Sequence, residues 1–170
     1  YVNAHGTGTP NNDQSESESL KRLFGKKMPW ISSTKSFTGH TTSASGSIEA
    51  IICLLAMQHH FIPANLGWGK QMENGIIPCT GIENVRLENV LCNSFGFGGN
   101  DSSLIFSTHP TEEEATQTEE EATQTEGKPQ RSEREPQQTA SNIRILSTVE
   151  INSEEDLSDI RKYVKPMEAR

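Results

Sequence analysis

Tyr1-Val2-Asn3-Ala4-His5-Gly6-Thr7-Gly8-Thr9-Pro10 opens with strand-forming residues and breaks, at His5, into a loop of alternating glycine and threonine. The same change occurs twice more. Trp30-Ile31-Ser32-Ser33-Thr34 runs into Lys35-Ser36-Phe37-Thr38-Gly39-His40, and Val90-Leu91-Cys92-Asn93 runs, through Ser94, into Phe95-Gly96-Phe97-Gly98-Gly99-Asn100. Each stretch puts reactive or conformationally permissive residues where a strand ends and a loop begins, and loops on a rigid sheet are where active sites are built. Two histidines, a lysine and a glycine turn from three separate strand ends point to one composite site rather than three local motifs.

The segments between supply the helices. Asp13-Gln14-Ser15-Glu16 has the form of a capping box, and Leu20, Leu23 and Phe24 then make an apolar stripe that stops at Gly25, which predicts a short amphipathic helix. Thr41-Thr42-Ser43-Ala44-Ser45-Gly46-Ser47 is a run of small residues that lets a helix start lie close to another backbone. The following Ile48 to Met57 is apolar on nearly every face, which predicts a buried helix. His59 and His60 fall at its end, where a helix C-terminus favours cationic side chains. Residues 61–84 hold Pro63, Gly67, Gly69, Gly75, Pro78 and Gly81 without a period and read as an irregular connection, with Trp68 in local packing. Residues 84–93 and 102–107 read as strands, and the glycine turn between them predicts an adjacent antiparallel pair. Strands alternating with helices and ending in a strand pair give an α/β layered fold.

Charge divides the chain. Residues 1–110 carry seven Lys or Arg against eight Asp or Glu, and residues 111–170 carry eight against fifteen. The first part is near neutral and the second acidic. No basic cluster exists to neutralise phosphates, which excludes a nucleic-acid surface. Lys21-Arg22 and Lys26-Lys27 read as a solvated helix face, or as a meeting place for an acidic partner. The run from Ile48 to Met57, interrupted by Glu49, is too short to span a bilayer. Cys53, Cys79 and Cys92 have neither metal-ligand spacing nor the even count of a disulfide framework, so a reducing, cytoplasmic setting is expected. Only 32% of the 170 residues are hydrophobic and the mean hydropathy is -0.63, so a substantial part is expected outside any core. Past His109-Pro110 the heptapeptide Thr-Glu-Glu-Glu-Ala-Thr-Gln occurs twice in succession, and residues 109–140 read as a disordered acidic linker. Residues 143–151 hold a possible strand, with a helix start after it.

Taken alone, a histidine before Gly-Thr-Gly-Thr is only suggestive, since one histidine at a strand end is more often a hydrogen-bonding residue than a catalyst. Together, residues 1–10, Ser33-Thr34-Lys35 with Thr38-Gly39-His40, and Asn93-Ser94-Phe95-Gly96-Phe97-Gly98-Gly99 resemble the C-terminal half of a β-ketoacyl-acyl-carrier-protein synthase, over residues 1–108. The resemblance implies the second half of a thiolase-like α-β-α-β-α layered fold. It also implies a decarboxylative Claisen condensation between an acyl thioester and malonyl carrier protein. By motif position His5 and His40 would be the two site histidines, Lys35 the site lysine with Glu49 as its ion-pair partner, and Thr7 and Thr9 the holders of a pantetheine arm. Phe97 would be the gating aromatic, its backbone N–H half of an oxyanion hole, with Gly98 beside it on the substrate side. No metal and no cofactor is implied, because the substrates ride on the phosphopantetheine of acyl carrier protein. The implied partners are that carrier and a second ketosynthase or ketosynthase-like subunit, in a homodimer or heterodimer.

Departures accompany the match. Ser43 stands where the family has a smaller residue, Asn100-Asp101 stands where it has Thr-Asn, and the nucleophilic cysteine of the family belongs to the other half, so that Cys53, Cys79 and Cys92 read as packing thiols. The chain, starting at Tyr1 inside a motif, reads as a fragment. A second resemblance, of residues 159–170 to the opening of small ketosynthase-like proteins that accompany synthases in aryl-polyene and pigment pathways, implies that a second domain begins in 141–170. The competing readings are a non-catalytic ketosynthase-like partner of the chain-length-factor type and a plain α/β anion-binding module. Retention of His5, His40 and Lys35 together favours the enzyme.

Overall fold

The structure, a computed structural model, describes residues 1–109 and the backbone of Arg144–Val149. The rest of the expected acidic linker and of the expected second domain lies outside the described residues.

A mixed sheet in the order β2-β1-β5-β6-β7 forms the centre. β1 (Val2–Asn3) lies parallel between β2 (Ile31–Ser32) and β5 (Asn89–Phe95), with Val2 opposite both Ile31 and Leu91. β6 (Asp101–Ser107) folds back antiparallel on β5, as the glycine turn predicts, and β7 (Arg144–Val149) pairs antiparallel with the other side of β6. Because β1, β2 and β5 run parallel, their C-terminal ends lie at one end of the sheet. That topology gathers the His5, Lys35 and Phe97 loops.

Alternation along the strands builds a core on each face. Val2, Leu91 and Ile105 face one side, where α1 (Pro10–Phe24) covers them with Leu20 and Leu23. Tyr1, Val90, Cys92 and Phe106 face the other, where α3 (Ser45–His59) brings Cys53, Ala56 and Met57.

Several elements depart from the sequence reading. α1 begins earlier than the capping box indicates. Thr9 is the N-cap, its hydroxyl accepting from the Asn12 N–H at 3.4 Å, and Pro10 takes the first helical position, where its missing N–H has no intrahelical partner to lose. Glu16 is thereby released from capping. The stop at Gly25 is as expected. α3 is not buried on all sides: Ser45, Glu49, Cys53, Ala56 and Met57 form one buried face, while Ile51 and Leu55 are 57% and 43% exposed. The sheet covers only one side of the helix, and uniform apolarity does not reveal which. The connection after α3 is pinned by an antiparallel pair, β3 (Phe61–Ile62) with β4 (Glu83–Asn84), so the expected strand over 84–93 is two strands.

Candidate functional site

His5 leaves β1 and the chain turns back at once. Gly6 has φ 48°, and a Cβ there would lie 2.4 Å from Cβ of Ser33, so only glycine lets this loop rest on the end of β2. Gly6→Ala combines a positive φ with overlap and is expected to destabilise the fold by about 2–4 kcal/mol, read as a lowered denaturant midpoint. An unchanged midpoint would show that the loop does not rest on β2.

Glu16 anchors the loop from α1. It is 5% exposed. Its Oε1 accepts from the His5 N–H at 2.9 Å and from Asn93 Nδ2 at 3.2 Å, and its Oε2 accepts from the Gly6 N–H at 2.9 Å and from Asn12 Nδ2 at 3.2 Å. Asn93 Oδ1 in turn accepts from the Ser103 hydroxyl at 2.7 Å. The sequence reading missed these residues. The available signal was a carboxylate four and seven residues before Leu20 and Leu23, on the buried stripe of the helix.

Lys35 opens the short helix α2 (Lys35–Thr38) directly after β2 and is buried. Its ammonium pairs with Glu49 Oε1 of α3, itself 1% exposed, and lies 3.4 Å from His5 Nδ1. As the cation of this pair Lys35 has hydrogens only to give, so Nδ1 of His5 accepts and the ring proton belongs on Nε2. Burial, and after it the charges of Lys35 and His40, lowers the His5 pKa from 6.5 to about 4. Burial also pushes the Glu49 carboxyl up, against the pull of Lys35. Glu49 Oε2 and Asn3 Oδ1 are buried without a hydrogen-bond donor among the described residues.

A His5 titration midpoint near pH 4, followed by imidazole NMR shifts, is therefore expected. With the folded value below the unfolded one, the contribution of His5 to stability is complete above about pH 6.5 and lost as pH falls toward 4. A midpoint near 6.5 would contradict the burial of the ring against Lys35.

His40 meets His5 edge-on, with ring centroids 5.6 Å apart and planes at 86°. The Thr42 N–H donates to its Nδ1 at 3.2 Å, and the Ser45 hydroxyl sits 3.0 Å from the same atom. Its proton, like that of His5, then belongs on Nε2. Phe95, at the end of β5, lies 5.4 Å from His5 between ring centroids. The small-residue run does what its composition indicates, for a Cβ on Gly46 would come 2.8 Å from the Ser94 hydroxyl and hold α3 off the strand.

Of the residues singled out by sequence, His5, Lys35, His40 and Glu49 are brought together. Thr7 and Thr9 lie on the flanking loop with their hydroxyls 3.1 Å apart. Phe97 stands at the tip of the β5–β6 turn, its side chain fully exposed, next to Gly98 at φ 83°. That turn is closed by the Gly96 N–H, which donates to Asp101 Oδ1 and to the Asn100 carbonyl, each at 3.2 Å. Trp68 does more than pack locally: it lines, with Thr7, Lys35 and His40, a cavity of about 510 Å³. Cys53, Cys79 and Cys92 are buried free thiols, and burial raises the pKa of Cys53 and of Cys79. Among the described residues no group of three or more His, Cys, Asp or Glu could hold a metal ion, and no helix is long and apolar enough to cross a membrane.

Residues 1–68 match the family model described as the β-ketoacyl synthase C-terminal domain. The chain is 42% identical over 113 residues to 3-oxoacyl-[acyl-carrier-protein] synthase 1 of Haemophilus influenzae, covering 64% of this chain and 28% of that protein. Among solved structures it is similar to the ishigamide ketosynthase/chain length factor, with TM-score 0.59 and 32% identity over 64% of this chain and 28% of that one. It is also similar to a type II polyketide acyl-carrier protein–ketosynthase complex, AntDE:AntF, with TM-score 0.56 and 28% identity over 62% of this chain and 26% of that one. The chain thus spans little more than a quarter of the length of these relatives. Over its first part the chain is similar, in sequence and in fold, to the C-terminal portion of β-ketoacyl synthases.

Proposed function

We propose that the protein carrying this chain catalyses decarboxylative Claisen condensation of an acyl thioester with malonyl-acyl-carrier protein. The bond from the malonyl α-carbon to its carboxylate breaks and releases carbon dioxide, and the electron pair moves toward the thioester carbonyl, whose oxygen gains negative charge. The resulting carbanion attacks an acyl thioester on an enzyme cysteine, forming the new carbon–carbon bond and freeing the cysteine thiolate. The observation that supports this reading is the paired arrangement of His5 and His40, each with Nδ1 engaged and Nε2–H left to donate. Two fixed donors on one developing oxyanion stabilise the decarboxylation transition state more than the ground state.

Lys35 acts as a positioning residue through His5, and Glu49 holds Lys35. Thr7 and Thr9 would bind the pantetheine arm, while Phe97 gates the site and, with Gly98, offers backbone to the substrate. Cys53, Cys79 and Cys92 are unsuited as the nucleophile because they are buried, so that role is assigned to the portion of the family's fold that this chain does not span. A cytoplasmic dimer that receives acyl carrier protein is the assembly this chemistry calls for. A non-catalytic partner subunit would have no use for two aligned donors and a lysine–glutamate pair, which favours the enzyme. Radiolabelled malonyl carrier and an acyl carrier thioester, incubated with the whole protein, are expected to yield β-ketoacyl carrier. Absence of that product from correctly folded protein would refute the reading.

A further inference from the structure

The small-residue run between His40 and α3 serves close packing at Gly46, but two of its members, Thr41 and Ser45, turn their hydroxyls to the site. Ser45 is the first residue of α3 and 6% exposed. A serine at the start of a helix ordinarily bonds nearby backbone. Here its oxygen lies instead 3.0 Å from Nδ1 of His40 and 3.3 Å from the hydroxyl oxygen of Thr41. The proton directions follow from counting. Nδ1 accepts from the Thr42 N–H, so it carries a lone pair and no hydrogen, and a hydroxyl oxygen turned toward it without its proton would set two lone pairs against each other. Ser45 therefore donates its one proton to His40, and Thr41 donates to Ser45.

His40 needs such a hold. Among the described residues it is exposed and meets the His5 ring edge-on, so packing does not fix the rotation of its ring. The Thr42 N–H reaches it at a cost, because exposed Thr42 sits at φ 50°, a left-handed conformation that a β-branched residue rarely takes. Ser45, by contrast, is buried at the start of a regular helix, one turn ahead of Glu49 on the same face. That face of α3 thus supports both histidines, His40 through Ser45 and His5 through Glu49 and Lys35. We propose that Ser45 is a positioning residue for the condensation, its hydroxyl, backed by that of Thr41, fixing the rotation and tautomer of His40 so that Nε2–H is presented to the developing oxyanion. The inference rests on the donor role proposed above for His40.

Ser45→Ala removes the hydroxyl and leaves a residue that favours the helix, so the fold is expected to stand. In the complete protein, kcat for malonyl decarboxylation should fall about 3- to 10-fold, the worth of one neutral hydrogen bond, while KM for malonyl carrier stays within about twofold because a positioning residue touches no substrate. Thr41→Val keeps the shape, removes the second hydroxyl and should lower kcat by less; a larger fall than in Ser45→Ala would move the role to Thr41. Both variants are also read by the nitrogen NMR resonances of ring-labelled histidine, assigned with a His40→Gln protein. In Ser45→Ala, Nδ1 of His40 should move downfield, toward the position of an imidazole nitrogen without a donor, while the His5 nitrogens stay in place. This spectrum needs no turnover, so it judges the contact even in a protein that makes no condensation product, a result that would refute the donor reading and not the contact. An unmoved Nδ1 would overturn the hydrogen bond from Ser45. A moved Nδ1 with unchanged kcat would overturn the positioning role, and so would a raised KM at unchanged kcat, which would make Ser45 a binding group.

Discussion

His5→Ala and His40→Ala are each expected to lower malonyl decarboxylation by about 10²- to 10³-fold, the range seen when one donor to a developing oxyanion is removed. Acylation of the enzyme cysteine should keep part of its rate in both variants, because the donors act on the malonyl thioester and not on the incoming acyl group. The two losses should also fail to add fully, since a single remaining N–H serves the same oxygen. Carbon dioxide release and covalent acylation are measured separately in the complete protein. Undiminished decarboxylation in both variants would refute the donor role, and an equal fall in both steps would point to disturbed folding instead.

Glu16→Ala is expected to have the largest effect on the structure around the site, although Glu16 touches no reacting atom. It strands the His5 and Gly6 N–H groups and the amide of buried Asn93 without their acceptor. With about 1–3 kcal/mol for each buried group left unsatisfied, and some recovered by rotation of the asparagines, the expected loss is about 2–5 kcal/mol. Glu16→Gln keeps one acceptor oxygen and should lose less, but its amide now points hydrogens at donors and should displace the His5 loop. Denaturant unfolding gives the stability, and the His5 NMR titration reports the loop in the folded Gln variant. A Gln variant with wild-type stability and an unshifted His5 midpoint would show that the loop is held by other means.

The contrast between these residues explains what the sequence disclosed. His5, Lys35 and His40 stand at short, fixed distances after strand-forming runs, so their convergence follows once the strands are taken as parallel neighbours. Glu49 was legible for a different reason, being a lone charge in an apolar run that must find a partner. Glu16, Asn93 and Ser103 depend on a buried network whose Glu16–Asn93 link spans 77 positions, and no local period encodes it. The same limit hid the pairing of β3 with β4 and of β6 with Arg144–Val149, which depend on chain reversal over long connections. The apolar run of α3 indicated a buried helix but not that only one face would meet the sheet, because burial all round and burial against one layer leave the same composition.

The most direct test is a structure of the complete protein with a non-hydrolysable malonyl thioester analogue on its pantetheine arm. The expected result is the thioester oxygen within about 3.2 Å of Nε2 of both His5 and His40, with Lys35 still against Nδ1 of His5. An oxygen bound away from both rings, or a His5 ring turned so that Nε2 faces Lys35, would contradict the assignment of the two histidines as paired donors.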